Sequence, residues 1–228
     1  MSSRLPTILD DLFPDSSPEF REIKDVWPPH VVNQILRLVW EGFDRMKALP
    51  NFDRLDFSKE YAQLERSLTG LHMEEITKLW GEQTSSFESF QPKHEPWEFE
   101  TLKSRSARPP SCDLGFILLS NRRFRWAVEA KVLQTATAVA EYLDDLDKYL
   151  AGQIAPLSMQ GALAAYLVEG DPDEFFGTVA AKCKCDLTPS PDFRSRPHRC
   201  STHERGRRKL TYGMPTVFIC HHLALALT

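Results

Sequence analysis

The feature that most constrains this chain is the stretch Phe124 to Val132, FRWAVEAKV. Trp126, Val128 and Val132, with Leu133 just beyond, mark it as a buried strand, yet Glu129 and Lys131 sit inside it. Side chains of a strand alternate between faces, so Glu129 and Lys131 share one face and Ala130 takes the other. Charged groups in an apolar strand are expensive unless they are paired or bound to metal. The preceding run, Asp113 to Leu119 (DLGFILL), reads as another strand, and Ser120-Asn121-Arg122-Arg123 as the turn between them. A hairpin turning near Asn121 returns Asp113 towards Glu129 and Lys131. Two carboxylates and one ammonium then meet at one edge of a sheet.

That trio has a definite chemical use. Hydrolysis of a phosphodiester near neutral pH needs a divalent cation beside the phosphate, an activated water and relief of developing negative charge. Mg²⁺ prefers oxygen ligands and retains some of its waters, so a few carboxylates suffice. A neighbouring lysine orients the water or offsets the growing charge.

The pattern resembles the PD-(D/E)xK, or restriction-endonuclease-like, nuclease superfamily: an Asp, a hairpin-length spacer, then (Asp/Glu)-x-Lys. Here Pro109-Pro110-Ser111-Cys112-Asp113 is followed, sixteen residues after Asp113, by Glu129-Ala130-Lys131. The chain departs from the motif at Cys112, which stands where the family has Pro. The resemblance spans roughly residues 58–149, with a last strand near Thr216. It implies an α/β fold with an αβββαβ core, a central mixed sheet flanked by helices, and here an N-terminal helical extension. It also implies Mg²⁺ or Mn²⁺ held by Asp113, Glu129 and the Ala130 carbonyl, with Lys131 catalytic. Family members often add a Glu from the helix before the sheet. Glu65 fits that place best, in competition with Glu74, Glu75 and Glu82. The implied activity is nucleic-acid hydrolysis, DNA favoured over RNA, in defence against mobile DNA. A silent binding module of the same fold, or a subunit of a larger defence assembly, are the alternatives.

The rest of the chain suits such a domain. Apolar positions from Val31 to Phe43 follow helical spacing over His30 to Met46, and those from Tyr61 to Leu79 do so over Ser58 to Gly81. Residues 1–28 read as an irregular arm. Gln83 to Pro110 is polar and carries four prolines, with a short extended piece expected near Trp97 to Leu102. Thr135 to Leu150 and Asp171 to Lys182 read as helices, Ser158 to Val168 as a helix entering a strand, and Thr216 to Leu227 as a final buried strand. Lys184 to Tyr212 reads as a basic loop. We expect an arm and helix over residues 1–50 and the nuclease-like domain over 51–228.

Charge is divided unevenly. Met1 to Glu100 holds 11 Lys+Arg against 19 Asp+Glu, whereas Thr101 to Thr228 holds 17 against 13. The basic half contains the trio. Arg205, Arg207 and Arg208, in the run Phe193 to Lys209, and Arg122 and Arg123 in the hairpin turn are the expected phosphate contacts. The acidic N-terminal helices are the expected face for a protein partner or a second copy. Ser201, His203 and a histidine of the last strand (His221-His222) are further candidates near the site. Cys183, Cys185 and Cys200 with His198 or His203 form a zinc candidate, although Cys-x-Cys is not the usual structural spacing. Five cysteines, no apolar run of membrane-spanning length and no apolar segment within Met1 to Asp15 lead us to expect a cytoplasmic chain with reduced thiols and no membrane partner. No phosphate-binding loop or dinucleotide fingerprint is present.

Overall fold

In a computed structural model, the described residues are 27–50, 52, 55, 61–83, 89–98, 110–205 and 215–227. The expected arm lies almost wholly outside them. Among these residues, four helices flank one open seven-stranded sheet: α1 (Pro29–Lys47), α2 (Tyr61–Gln83), β1 (Phe90–His94), β2 (Leu114–Leu118), β3 (Arg125–Leu133), α3 (Ala140–Leu150), β4 (Gln160–Leu167), α4 (Pro172–Cys183), β5 (Thr188–Pro189), β6 (His198–Glu204) and β7 (Val217–Ala226). The strand order is β1-β2-β3-β4-β7-β6-β5. The central trio β3, β4 and β7 is parallel, and the outer strands are antiparallel.

The central strands are buried on both faces, which explains their near-continuous apolar sequences. Trp126, Val128, Ala130 and Val132 of β3, with Ala162 and Ala164 of β4 and Leu223 of β7, pack against α1 and α2. The alternate residues Ala127 and Leu133, Leu163 and Ala165, and Cys220 and Ala224 pack against α3 and α4. Helix α1 starts with Pro29 in its first turn, where a missing N–H costs nothing, and ends with Arg45 and Lys47 against the helix dipole. Lys47 Nζ also donates to the Ala226 carbonyl at 2.9 Å, tying α1 to the end of β7. Gly42 lets α1 approach α2 closely, since a Cβ there would lie 2.6 Å from Ile76. Helix α4 is capped by Asp171, whose carboxylate accepts from the Asp173 and Glu174 amides. Among the described residues, no helix is long and apolar enough to cross a membrane.

Three sequence expectations need correction. Strand β1 lies upstream of the extended piece expected near Trp97 to Leu102, and it contains Pro92. A proline is tolerated there because β1 is an edge strand. Gln160 to Leu167 is strand throughout, with no leading helix. The segment read as a basic loop contains β5, a 3₁₀ turn at Pro191–Phe193 and the seven-residue β6, stabilised by pairing with β7. Near the expected extended piece, Trp97 bridges Ser111, while residues 99–109 lie outside the described set.

Candidate active site

Strands β2 and β3 pair antiparallel with Leu114 opposite Val128. Continuing that register by one step sets Asp113 opposite Glu129. Directly opposed residues project from the same face, so Asp113 and Glu129 leave the sheet on one side. The ladder ends there, but β3 runs on to Leu133 and leaves a notch along its β2 side. The next backbone amide facing that side belongs to Ala130, and it donates to Asp113 Oδ2 at 2.7 Å. The N–H and C=O of one strand residue point to the same edge, so the Ala130 carbonyl also turns to the notch.

Lys131 lies two residues beyond Glu129, on the same face. Its Nζ is 2.9 Å from Glu65 Oε1 and 3.3 Å from Asp145 Oδ2. Of the competing glutamates, then, Glu65 reaches the trio, from the first turns of α2. Glu75 pairs with Lys78, as does Glu74, and Glu82 pairs with Arg45. Asp145, on α3, is the group that sequence reasoning missed. It is only 1% exposed and also pairs with Lys148 at 2.5 Å. Its signal was available: it falls on the apolar stripe Tyr142, Leu146, Tyr149, where an unpaired acid is costly.

Four carboxylates therefore face two ammoniums. Glu129 is 5% exposed, and its Oε1 is buried without a hydrogen-bond partner among the described residues. Burial, then the nearby charges of Asp113 and Asp145, push its carboxyl well above the ordinary range. Burial also raises Asp113 to about 6, against the opposing pull of the Ala130 amide and Lys131. Burial disfavours the charge on Lys131, but Asp145 and Glu65 outweigh it and hold the ammonium protonated. The site thus has carboxylates whose charge is not fully matched by its own cations. Among the described residues, no three of these acids bring oxygens within 4.8 Å of one another. Asp113, Glu129 and the Ala130 carbonyl are the oxygen donors that the register turns to the notch.

The expected phosphate contacts separate. Arg122 and Arg123, with Lys93, Asn121 and Arg125, line a surface cleft of about 680 Å³ at the turn of the β2–β3 hairpin. Arg205 is not a surface contact. It is 2% exposed, its Nη1 donates to the Ser158 carbonyl at 3.0 Å, and its guanidinium lies 4.5 Å from the Phe218 ring centre. A basic run looks solvent-facing in sequence, but Arg205 follows directly on β6 and is drawn in beneath the sheet end. Arg207 and Arg208 lie outside the described residues.

Ser201 and His203 do not join the carboxylates. Ser201 Oγ lies 2.6 Å from His203 Nε2 and 2.7 Å from His222 Nε2, and His222 Nδ1 lies 2.9 Å from the Tyr142 hydroxyl. This chain of hydrogen bonds ties β6, β7 and α3 together. His221 points to the opposite face. Comparison of the chain with protein-family models, curated proteins and solved structures gives no significant match.

Proposed function

We propose that the chain is a divalent-metal-dependent nuclease of the restriction-endonuclease-like kind, hydrolysing phosphodiester bonds of nucleic acid, with DNA favoured. One observation carries the reading: Asp113 and Glu129 share one face of the notch, and Glu129 Oε1 is buried with no partner among the described residues. The element order from α2 to β4, one helix, three strands, one helix and one strand, supports it. So does the arrival of Glu65 from the preceding helix.

The donor set fits Mg²⁺ or Mn²⁺, since it is all oxygen and carries unmatched negative charge. Asp113, Glu129 and the Ala130 carbonyl would hold the ion, which supplies Lewis-acid stabilisation of the phosphoryl oxygens when bound. Lys131 donates hydrogen bonds to the attacking water or to a non-bridging oxygen. Glu65 and Asp145 position its ammonium and keep it charged. Arg122 and Arg123 lie roughly 20 Å along the hairpin from Asp113, about six base-pair steps of duplex, so they would hold the substrate away from the scissile bond.

The test is cleavage of DNA and RNA with Mg²⁺ or Mn²⁺ by the wild type and by Lys131→Ala. We expect metal-dependent cleavage that falls at least about 100-fold in the variant, the scale of losing one transition-state contact. Equal rates would remove Lys131 from the mechanism. A second reading is favoured by the ion pairs that already engage Lys131: the cluster is structural, and the hairpin cleft binds nucleic acid without cutting it. Binding with no metal-dependent cleavage would select that reading.

A further inference from the structure

We infer that His198, Cys200 and His221 form a second cation site, separate from the carboxylate notch and suited to Zn²⁺. In the β6–β7 ladder Cys200 stands directly opposite His221, and His198 precedes Cys200 by two residues. All three side chains therefore share one face of the sheet. That face is the one covered by α1, because His221 continues the row of Val128 and Ala162. Glu129 belongs to the opposite face. The two sites do not share a ligand.

The donor atoms are already gathered. His198 Nε2 lies 3.1 Å from His221 Nδ1, Cys200 Sγ lies 3.3 Å from the same nitrogen, and all three lie within 4.8 Å of one another. Zinc binds imidazole nitrogen at about 2.0–2.1 Å and thiolate at about 2.3 Å, so tetrahedral ligands stand about 3.3–3.6 Å apart. The two shorter separations differ from that by a few tenths of an ångström. The His221 tautomer also suits a ligand. Its Nε2 lies 3.0 Å from Gln160 Oε1, and a proton on Nε2 donated there leaves the Nδ1 lone pair facing the cluster. The His198 ring is set instead by packing, with Phe193 at 5.1 Å and Trp40 at 6.3 Å between ring centres.

Two imidazoles and a thiolate select Zn²⁺ over Mg²⁺, the reverse of the carboxylate notch. With three protein donors, the fourth position falls to water or an exogenous ligand. The ion would clamp the outer strand β6 onto β7. The ligand set differs from the one expected from sequence. Cys200 and His198 are joined by His221, whereas Cys185 lies with Ser201 on the other face.

The test uses the full chain, stripped with a chelator and titrated with Co²⁺ as an optical probe and then with Zn²⁺. We expect a thiolate-to-cobalt charge-transfer band in the wild type and in Glu129→Gln. Cys200→Ser should lose that band, and His198→Gln should lose it independently should the serine variant not fold. Gln160→Leu, which removes only the orienting partner, should weaken Zn²⁺ binding about 10–100-fold. No band in the wild type, or a band retained in Cys200→Ser, would overturn the assignment.

Discussion

Asp113→Asn separates the proposed metal-binding role of this buried carboxyl from its structural role as the acceptor of the Ala130 amide. Burial raises the Asp113 carboxyl from its ordinary 3.8 to about 6. The folded state thus holds that proton more tightly than the unfolded chain does. Stability from this group is fully present below about pH 4, is lost as pH rises to about 6, and stays lost above it. A displacement of this size corresponds to about 3 kcal/mol withheld at pH 7.5. Asparagine removes the charge and keeps an oxygen to accept from the Ala130 amide, now 2.7 Å from Oδ2. In urea unfolding without metal, the variant should be more stable than the wild type by about 2–3 kcal/mol at pH 7.5, with the difference closing towards pH 4. Mg²⁺ at a hundredfold excess over Kd should raise the wild type alone by about 2.7 kcal/mol and so roughly close that gap. The reasoning is refuted if Asp113→Asn destabilises equally at pH 4 and 7.5 and the wild type gains nothing from metal.

Other perturbations probe separate parts of the account. The cleavage rate should rise with pH from about 6 upward as Asp113 and then Glu129 ionise, and Asp145→Asn should move that rise to lower pH, because Asp145 is one of the charges that raise both; a pH–rate profile reads both. Arg122→Glu with Arg123→Glu should weaken nucleic-acid binding and reduce the log–log salt slope by about 2, measured by fluorescence anisotropy, with metal affinity unchanged. Arg205→Leu should leave binding intact but lower stability by about 1–3 kcal/mol, since it strands the buried Pro156 and Ser158 carbonyls; paired melts and binding curves check this.

Much of the site was legible because strand alternation is a strict rule. Glu129 and Lys131 had to share a face, and the hairpin turn near Asn121 brought Asp113 to the register position opposite Glu129. Asp145 was legible in principle, as an acid on the apolar stripe of α3, but its neighbours Asp144 and Asp147 make the segment look like an ordinary charged surface. What escaped depended on partners distant in sequence. Strand β6 (HRCSTHE) has no apolar alternation and exists through its ladder with β7. Strand β1 was hidden by Pro92, which only an edge position permits. Arg205 was misread because a run of arginines says nothing about which one has carbonyls waiting beneath a sheet. The zinc candidate was legible only in Cys200 and His198 for the same reason: His221 joins them only across a strand pair.

The most direct measurement is anomalous diffraction from crystals soaked in Mn²⁺. A peak bonded to both Asp113 and Glu129, with the Ala130 carbonyl in its shell and Lys131 beside it, is the expected result. Crystals that show no manganese at the notch, with the Asp113 and Glu129 carboxyls held apart, would contradict the account.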